Sequence, residues 1–207
     1  MTAPDGSNSD PIAIYHQQAA ALAAAYESQS FEGIHSAARH WLPEPPALIL
    51  DVGAGSGRDA AWFARQGHEV VAVEPARKRR ELAPRLHADG RIRWFDDRLP
   101  GLPTVSRLRL HFGLIWLSAV WMHVPPGDRV PAFHTLMTLL TPGGRLVFTL
   151  RCGPAPVGRP MYPVAIEELL RLGDAHGFQP RLTAEQPDFL GRPAVRWQTV
   201  GLERARR

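Results

Sequence analysis

The chain has 207 residues, 44% apolar and 21% charged. This ordinary globular balance excludes disorder for most of its length and makes a single domain the expectation. One cysteine, Cys152, excludes an internal disulfide framework and a cysteine-rich zinc site. The formal net charge of +4 would suit nucleic acid, but all basic residues except Lys78 are arginines spread along the chain, with one tight cluster at Arg77-Lys78-Arg79-Arg80, so no dedicated nucleic-acid surface is expected.

Residues 1–11 are polar and turn-rich and read as a disordered leader. They carry Asp5 and Asp10 and no basic-then-apolar pattern. No apolar run approaches the roughly 18–20 residues of a membrane span. A secretory signal and a membrane segment are therefore not expected, and a cytoplasmic protein is. Residues 12–30, rich in alanine, read as one helix with Tyr15, Ala19, Leu22 and Tyr26 on one face. A second helical stretch over 34–41 stops before Pro43. Residues 12–46 would form a helical cap and 47–207 an α/β core.

From Ala47 the pattern changes to short apolar runs alternating with helical stretches. Strands are expected at 47–52, 68–73, 91–95, 112–118 and 145–150, and less firmly marked ones at 178–183 and 195–202. Between them, helices are expected at 58–66, 76–88, 128–140 and 163–176, the third closed by a turn at Thr141-Pro142-Gly143-Gly144. The short, proline-bearing stretch 98–111 leaves room for little helix. This alternation predicts an α/β domain with a mostly parallel sheet, whose ligands sit beyond the carboxyl ends of the strands.

The first such end carries Asp51 and the turn Gly53-Ala54-Gly55-Ser56-Gly57. Alternating glycines let the backbone bend sharply and approach a ligand, and the next helix offers free N–H groups. Glu74, 23 positions after Asp51, ends the second strand, where a carboxylate can accept from ribose hydroxyls. The spacing is G-x-G-x-G, one residue shorter than the dinucleotide fingerprint, which favours a cofactor without a pyrophosphate over a nicotinamide oxidoreductase.

The run LILDVGAGSGRDAAWFARQGHEVVAVEPA, followed in order by FGLIWLSAVWMHVPP and LLTPGGRLVFTL, resembles the class I S-adenosylmethionine-dependent methyltransferases. Within them it is similar to the single-domain small-molecule branch that includes quinone-biosynthesis and tellurite-resistance enzymes. The resemblance covers roughly 47–151 and implies a Rossmann-like seven-stranded sheet of order 3-2-1-4-5-7-6 with the last strand antiparallel. It implies S-adenosylmethionine as cofactor, with S-adenosylhomocysteine as product, and a methyl transfer to O, N or S of a small molecule. Gly53, Ala54, Gly55 and Gly57 would cradle the methionine portion. Asp51 would position its amino group, Glu74 would hold the ribose hydroxyls, and Ser118 would face the methionine portion. Asp96, with Asp97 as its competitor, would accept from the adenine amino group.

Other residues have two readings each. Arg58 either pairs with the cofactor carboxylate or is a solvated first-turn arginine. Tyr15 closes over the cofactor or packs. His123, after the fourth strand, is the candidate general base or a hydrogen-bonded structural histidine. Trp121 and Met122 line the substrate pocket or fill the core. Arg151 suits an anionic acceptor such as a carboxylate, or is solvated, and Tyr162 lies in the adjacent variable loop.

Cys152 stands in Arg-Cys-Gly-Pro and not after proline, which disfavours cytosine-C5 chemistry. The fourth strand is followed by Leu-Ser-Ala-Val, without the Asn/Asp-Pro-Pro-aromatic run of base-flipping amino-methylating enzymes. No histidine has metal-ligand spacing, so no metal is expected. A monomer or homodimer is expected. The rivals are a catalytically silent methyltransferase-like binding module and an RNA or protein methyltransferase.

Overall fold

The computed structural model describes residues 11–156, 159 and 161–206. The leader expected over 1–11 lies outside the described residues except for Pro11, which already opens a helix. Residues 12–30 form two helices where one was expected, α1 (Pro11–Gln17) and α2 (Ala19–Glu27), parted at Gln18, whose φ of −96° and ψ of 16° leave the helical region. Short α3 (Phe31–Ile34) and α4 (Ser36–Arg39) follow. Ser30 caps α3 by accepting from the Gly33 N–H at 3.1 Å.

Each expected strand forms. β1 (Leu48–Val52), β2 (Glu69–Val73), β3 (Ile92–Phe95) and β4 (Phe112–Ser118) are short apolar runs. With β5 (Leu140–Cys152), β6 (Phe178–Pro187) and β7 (Arg196–Arg204) they make one sheet in the order β3-β2-β1-β4-β5-β7-β6. β1 to β5 pair in parallel, and β7 runs antiparallel to β5 and β6. This is the order and direction the resemblance implied. Neighbouring residues of one strand face opposite layers: Ile49 packs with Val70, Leu114 and Trp116, and Leu50 with Val71, Ile115 and Phe148. Both faces are covered, which is why the strands read as continuous apolar runs.

The helices of the core are α5 (Arg58–Arg65), α6 (Arg77–Leu86), α7 (Pro103–Arg107), α8 (Arg129–Leu139) and α9 (Ile166–Ala175). α5 buries Phe63 together with Ala60, Ala61 and Ala64, whose small side chains let it lie close to the sheet. The helical cap is pinned there by Phe31, which stacks on Trp62 at 3.9 Å and meets Phe63 edge-on at 5.3 Å. α1 and α2 both pack on α6.

Residues 141–144 do not simply end α8. β5 begins at Leu140 opposite Phe112, and the ladder resumes five residues later with Arg145 opposite Leu114. The intervening segment bulges out, with Gly143 at a φ of 73° that favours glycine. Among the described residues no helix is long and apolar enough to cross a membrane.

Candidate functional site

The carboxyl ends of the parallel strands open on a cavity of about 310 Å³, within the range of small-molecule sites. Its floor is the end of β1 with the glycine turn, and Glu74 after β2. Ser118 at the end of β4 and Thr149 and Arg151 of β5 continue it. Tyr15 of α1 and Leu22 and Tyr26 of α2 form the roof. A far wall comes from Met122 and His123 and from the β6–β7 hairpin.

Gly53 and Gly55 hold φ values of +71° and +65°. A Cβ on Gly53 would stand 2.6 Å from Val120 Cγ2, so only glycine leaves this cradle open. Glu74 ties the turn to the end of β2: its Oε2 accepts from the Gly55 N–H at 2.9 Å and its Oε1 from the Ala76 N–H at 2.8 Å. Asp51 is 1% exposed, and its Oδ2 has no hydrogen-bond partner among the described residues. Burial first, and then the neighbouring Asp59 and Glu74 carboxylates, raise its carboxyl well above the usual range.

Below the floor lies a buried polar network centred on Asp59. Its carboxylate accepts from Arg58 at 2.7 Å and from the Trp116 indole at 3.0 Å, and its Oδ2 lies 3.0 Å from His35 Nε2. Arg58 also donates to the Tyr26 carbonyl at 3.3 Å. It therefore lines the cavity with its guanidinium already partnered, and is not a solvated first-turn arginine.

At the roof, the Tyr15 hydroxyl is 3.0 Å from His123 Nε2. Burial and the neighbouring Tyr26 push the Tyr15 phenol up to about 12, against the pull of Arg159 and Arg79. The phenol therefore stays neutral throughout the physiological range. Arg79 reaches in from α6, 4.9 Å from the Tyr15 ring centre, 5.5 Å from that of Tyr26 and 3.6 Å from Glu74 Oε2.

Of the residues singled out in the sequence, Tyr15, Asp51, Gly53, Ala54, Gly55, Arg58, Glu74, Ser118, Met122, His123 and Arg151 line this cavity. Gly57 does not. It caps α5 at a φ of +90° and faces Trp94 and His87. Trp121 is a core residue, packed edge-on against Phe148 at 5.3 Å. Tyr162 meets the site only through its backbone, its N–H donating to the Met122 carbonyl at 2.8 Å.

Asp96 and Asp97 lie in a shallower neighbouring depression that shares Pro75 with the cavity. Asp97 is withdrawn from any ligand role by the fold. Its Oδ2 accepts from the Thr104 and Val105 N–H groups at 2.7 and 2.9 Å, capping α7, and its Oδ1 from the Arg98 N–H at 2.9 Å. Asp96 is exposed and meets only Arg80, at 2.8 Å. Asp97→Ala is expected to cost about 2–3 kcal/mol of stability in urea unfolding, because buried donors lose their acceptor. The affinity for S-adenosylhomocysteine should stay unchanged; a parallel loss of affinity would return Asp97 to the site.

Sequence reasoning missed Arg79, Asp188 and Arg192, all in the lining; Arg159, which the sequence places with Tyr162 in the variable loop, lines it too. Arg79 was hidden in a basic run, but it lies four residues before Ala83, a buried position of α6. The hairpin residues follow from topology: a strand parallel to β5 and joined to antiparallel β7 must turn at the ligand end of the sheet.

Residues 49–144 match the family of methyltransferase domains. The methyltransferase GfsG of Streptomyces halstedii is 29% identical over 150 residues, which are 69% of this chain and 46% of that protein. The chain thus spans less than half the length of this curated relative. Among solved structures, 1,6-didemethyltoxoflavin-N1-methyltransferase of Burkholderia thailandensis superposes with a TM-score of 0.72 at 22% identity, covering 99% of this chain and 92% of that one. The [4+2]-cyclase SpnF superposes with a TM-score of 0.70 at 13% identity, covering 93% and 94%. The chain thus has the fold of these solved structures, and over residues 49–144 its sequence matches a methyltransferase domain.

Proposed function

We propose that this chain transfers a methyl group from S-adenosylmethionine to an O, N or S atom of a small-molecule acceptor. One observation carries the reading. The buried, unpartnered Asp51 oxygen sits beside a glycine cradle that a Cβ would fill and near Glu74. That donor and acceptor set suits a group with an ammonium at one end and a diol at the other. When bound, the cofactor supplies a sulfonium-activated methyl for in-line displacement.

The chain's own residues bind, orient and exclude water. Asp51 receives the amino group, the backbone of Gly53 to Gly55 lines the methionine portion with Ser118, Glu74 offers its remaining lone pairs to the ribose, and Asp96 stands ready for the adenine amino group. Tyr15 roofs the cavity, and His123 is placed to take a proton where the acceptor must lose one. A roofed cavity supports a small acceptor over an RNA or protein chain. So does the likeness to the Burkholderia enzyme, whose structure holds 1,6-didemethyltoxoflavin and S-adenosylhomocysteine.

The test is thermal unfolding with S-adenosylhomocysteine and, in parallel, NAD. At about 100 times its dissociation constant the ligand stabilises by about 2.7 kcal/mol, which raises the midpoint by roughly 5–10 °C for a chain of this size. Glu74→Ala should weaken S-adenosylhomocysteine by about 1.5–3 kcal/mol. No shift with S-adenosylhomocysteine would sink the proposal, and an unchanged affinity in the variant would remove Glu74 from the site. The likeness to a cyclase means that binding alone is not methyl transfer. Transfer of label from methyl-labelled S-adenosylmethionine to an acceptor separates the enzyme from a silent binding module.

A further inference from the structure

The wall of the cavity formed by β5, the loop after it and the β6–β7 hairpin brings together three guanidinium groups, Arg151, Arg159 and Arg192, and one carboxylate, Asp188. Asp188 is spent within the hairpin. It accepts from Arg192 Nη2 at 2.7 Å and Nε at 2.9 Å, from the Arg192 and Leu190 backbone N–H groups, each at 3.1 Å, and from the Trp197 indole at 3.0 Å. These donors hold its carboxyl well below the usual range. Arg159 meets neutral partners, the Tyr26 hydroxyl at 3.4 Å and the Tyr15 phenol.

Arg151 is left over. It is 8% exposed, its Nη1 donates to the Pro154 carbonyl at 2.8 Å, and its buried Nε has no hydrogen-bond partner among the described residues. Burial and the neighbouring charge of Arg192 press its ionisation down, with Asp188 only partly opposing them. A buried guanidinium with a free Nε–H is costly unless an anion completes it. The bond to Pro154 uses one terminal nitrogen, so the open edge is the side-on pair of Nε and Nη2. Two parallel donors match the two oxygens of a planar carboxylate. The same cavity is lined by the apolar side chains of Met161, Phe189 and Leu190.

We infer that the acceptor carries a carboxylate on an apolar body, and that the side-on edge of Arg151 receives it with Arg159 and Arg192 as flanking positive charge. The inference rests on the methyl-transfer reading for the word acceptor; the anion site itself does not.

The experiment is calorimetric titration of the whole chain, with and without saturating S-adenosylhomocysteine. The probes are octanoate, 3-phenylpropanoate and 4-hydroxybenzoate, each beside its primary amide, together with phenyl phosphate. At least one carboxylate should bind about tenfold tighter than its amide. Arg151→Met should erase that preference, and Arg151→Lys should retain part of it. In both variants the S-adenosylhomocysteine affinity should stay within about twofold of wild type.

Equal binding of carboxylates and amides by the wild-type chain, or no binding by any carboxylate, would overturn the inference without recourse to a variant. Tighter binding of phenyl phosphate would overturn the carboxylate assignment. A loss of S-adenosylhomocysteine affinity in Arg151→Met as large as the loss of carboxylate would assign Arg151 to the cofactor. If S-adenosylhomocysteine does not bind the wild type at all, the methyl-transfer reading falls, and the titrations without it still decide the anion site.

Discussion

Asp59→Ala is expected to destabilise the fold by about 3–5 kcal/mol, the cost of breaking a buried ion pair from one side. For a chain of this size that lowers the melting midpoint by roughly 10–15 °C. The substitution leaves the nearly buried Arg58 without its partner and strips acceptors from the Trp116 indole and His35. Asp59→Asn retains an acceptor for Trp116 and should fall between wild type and Asp59→Ala. Burial alone would raise the Asp59 carboxyl, but the charges of Arg58 and His35 outweigh it and hold the group well below the usual carboxylate range. A carboxylate depressed in the folded state stabilises fully above its unfolded value, about 4, and progressively less as pH falls below it. The stability gap between wild type and Asp59→Ala should therefore be flat near neutrality and shrink below about pH 4. A gap that stays constant to lower pH in urea titrations would mean the loss is one of packing and not of charge.

Gly53→Val is expected to leave a folded protein that has lost at least about a hundredfold in S-adenosylhomocysteine affinity, from strain of a few kcal/mol at a special φ together with a filled cradle. At a φ of +71° a β-branched residue is strained, and its Cβ would meet Val120 Cγ2 at 2.6 Å. Relief of that contact pushes either the turn or Val120 into the cavity, since both line it. Far-ultraviolet circular dichroism checks the fold and calorimetry the affinity. Affinity within about threefold of wild type would show that the ligand does not lie against this turn.

The sheet was readable because its strands are buried on both sides. Leu48–Val52 and Phe112–Ser118 carry no polar alternation to confuse them with edge strands or helices. The half proposed to hold the cofactor was readable for a related reason: Asp51 lies near the end of β1, and the glycine turn and Glu74 directly follow β1 and β2, so local sequence places them. The rest depends on tertiary choices.

The sequence favours Asp96 as the adenine contact but leaves Asp97 in competition, and only the approach of the Thr104 and Val105 N–H groups commits the second of them to capping α7. Trp121 and Met122 are adjacent in one turn of 3₁₀ helix, and the packing of Phe148 decides that the tryptophan turns to the core while Met122 borders the cavity. Arg79 looks like its exposed neighbours until α1 and α2 fold down and sandwich it between Tyr15, Tyr26 and Glu74.

The β6–β7 hairpin has a consequence for divergence. β6 is the outermost strand and pairs only with β7, and the glycine turn lies several strands away, after β1. The hairpin is fastened to itself through Asp188. Drift in its sequence can therefore reshape the far wall of the cavity while β1 and β2, which flank the glycine turn, keep their register.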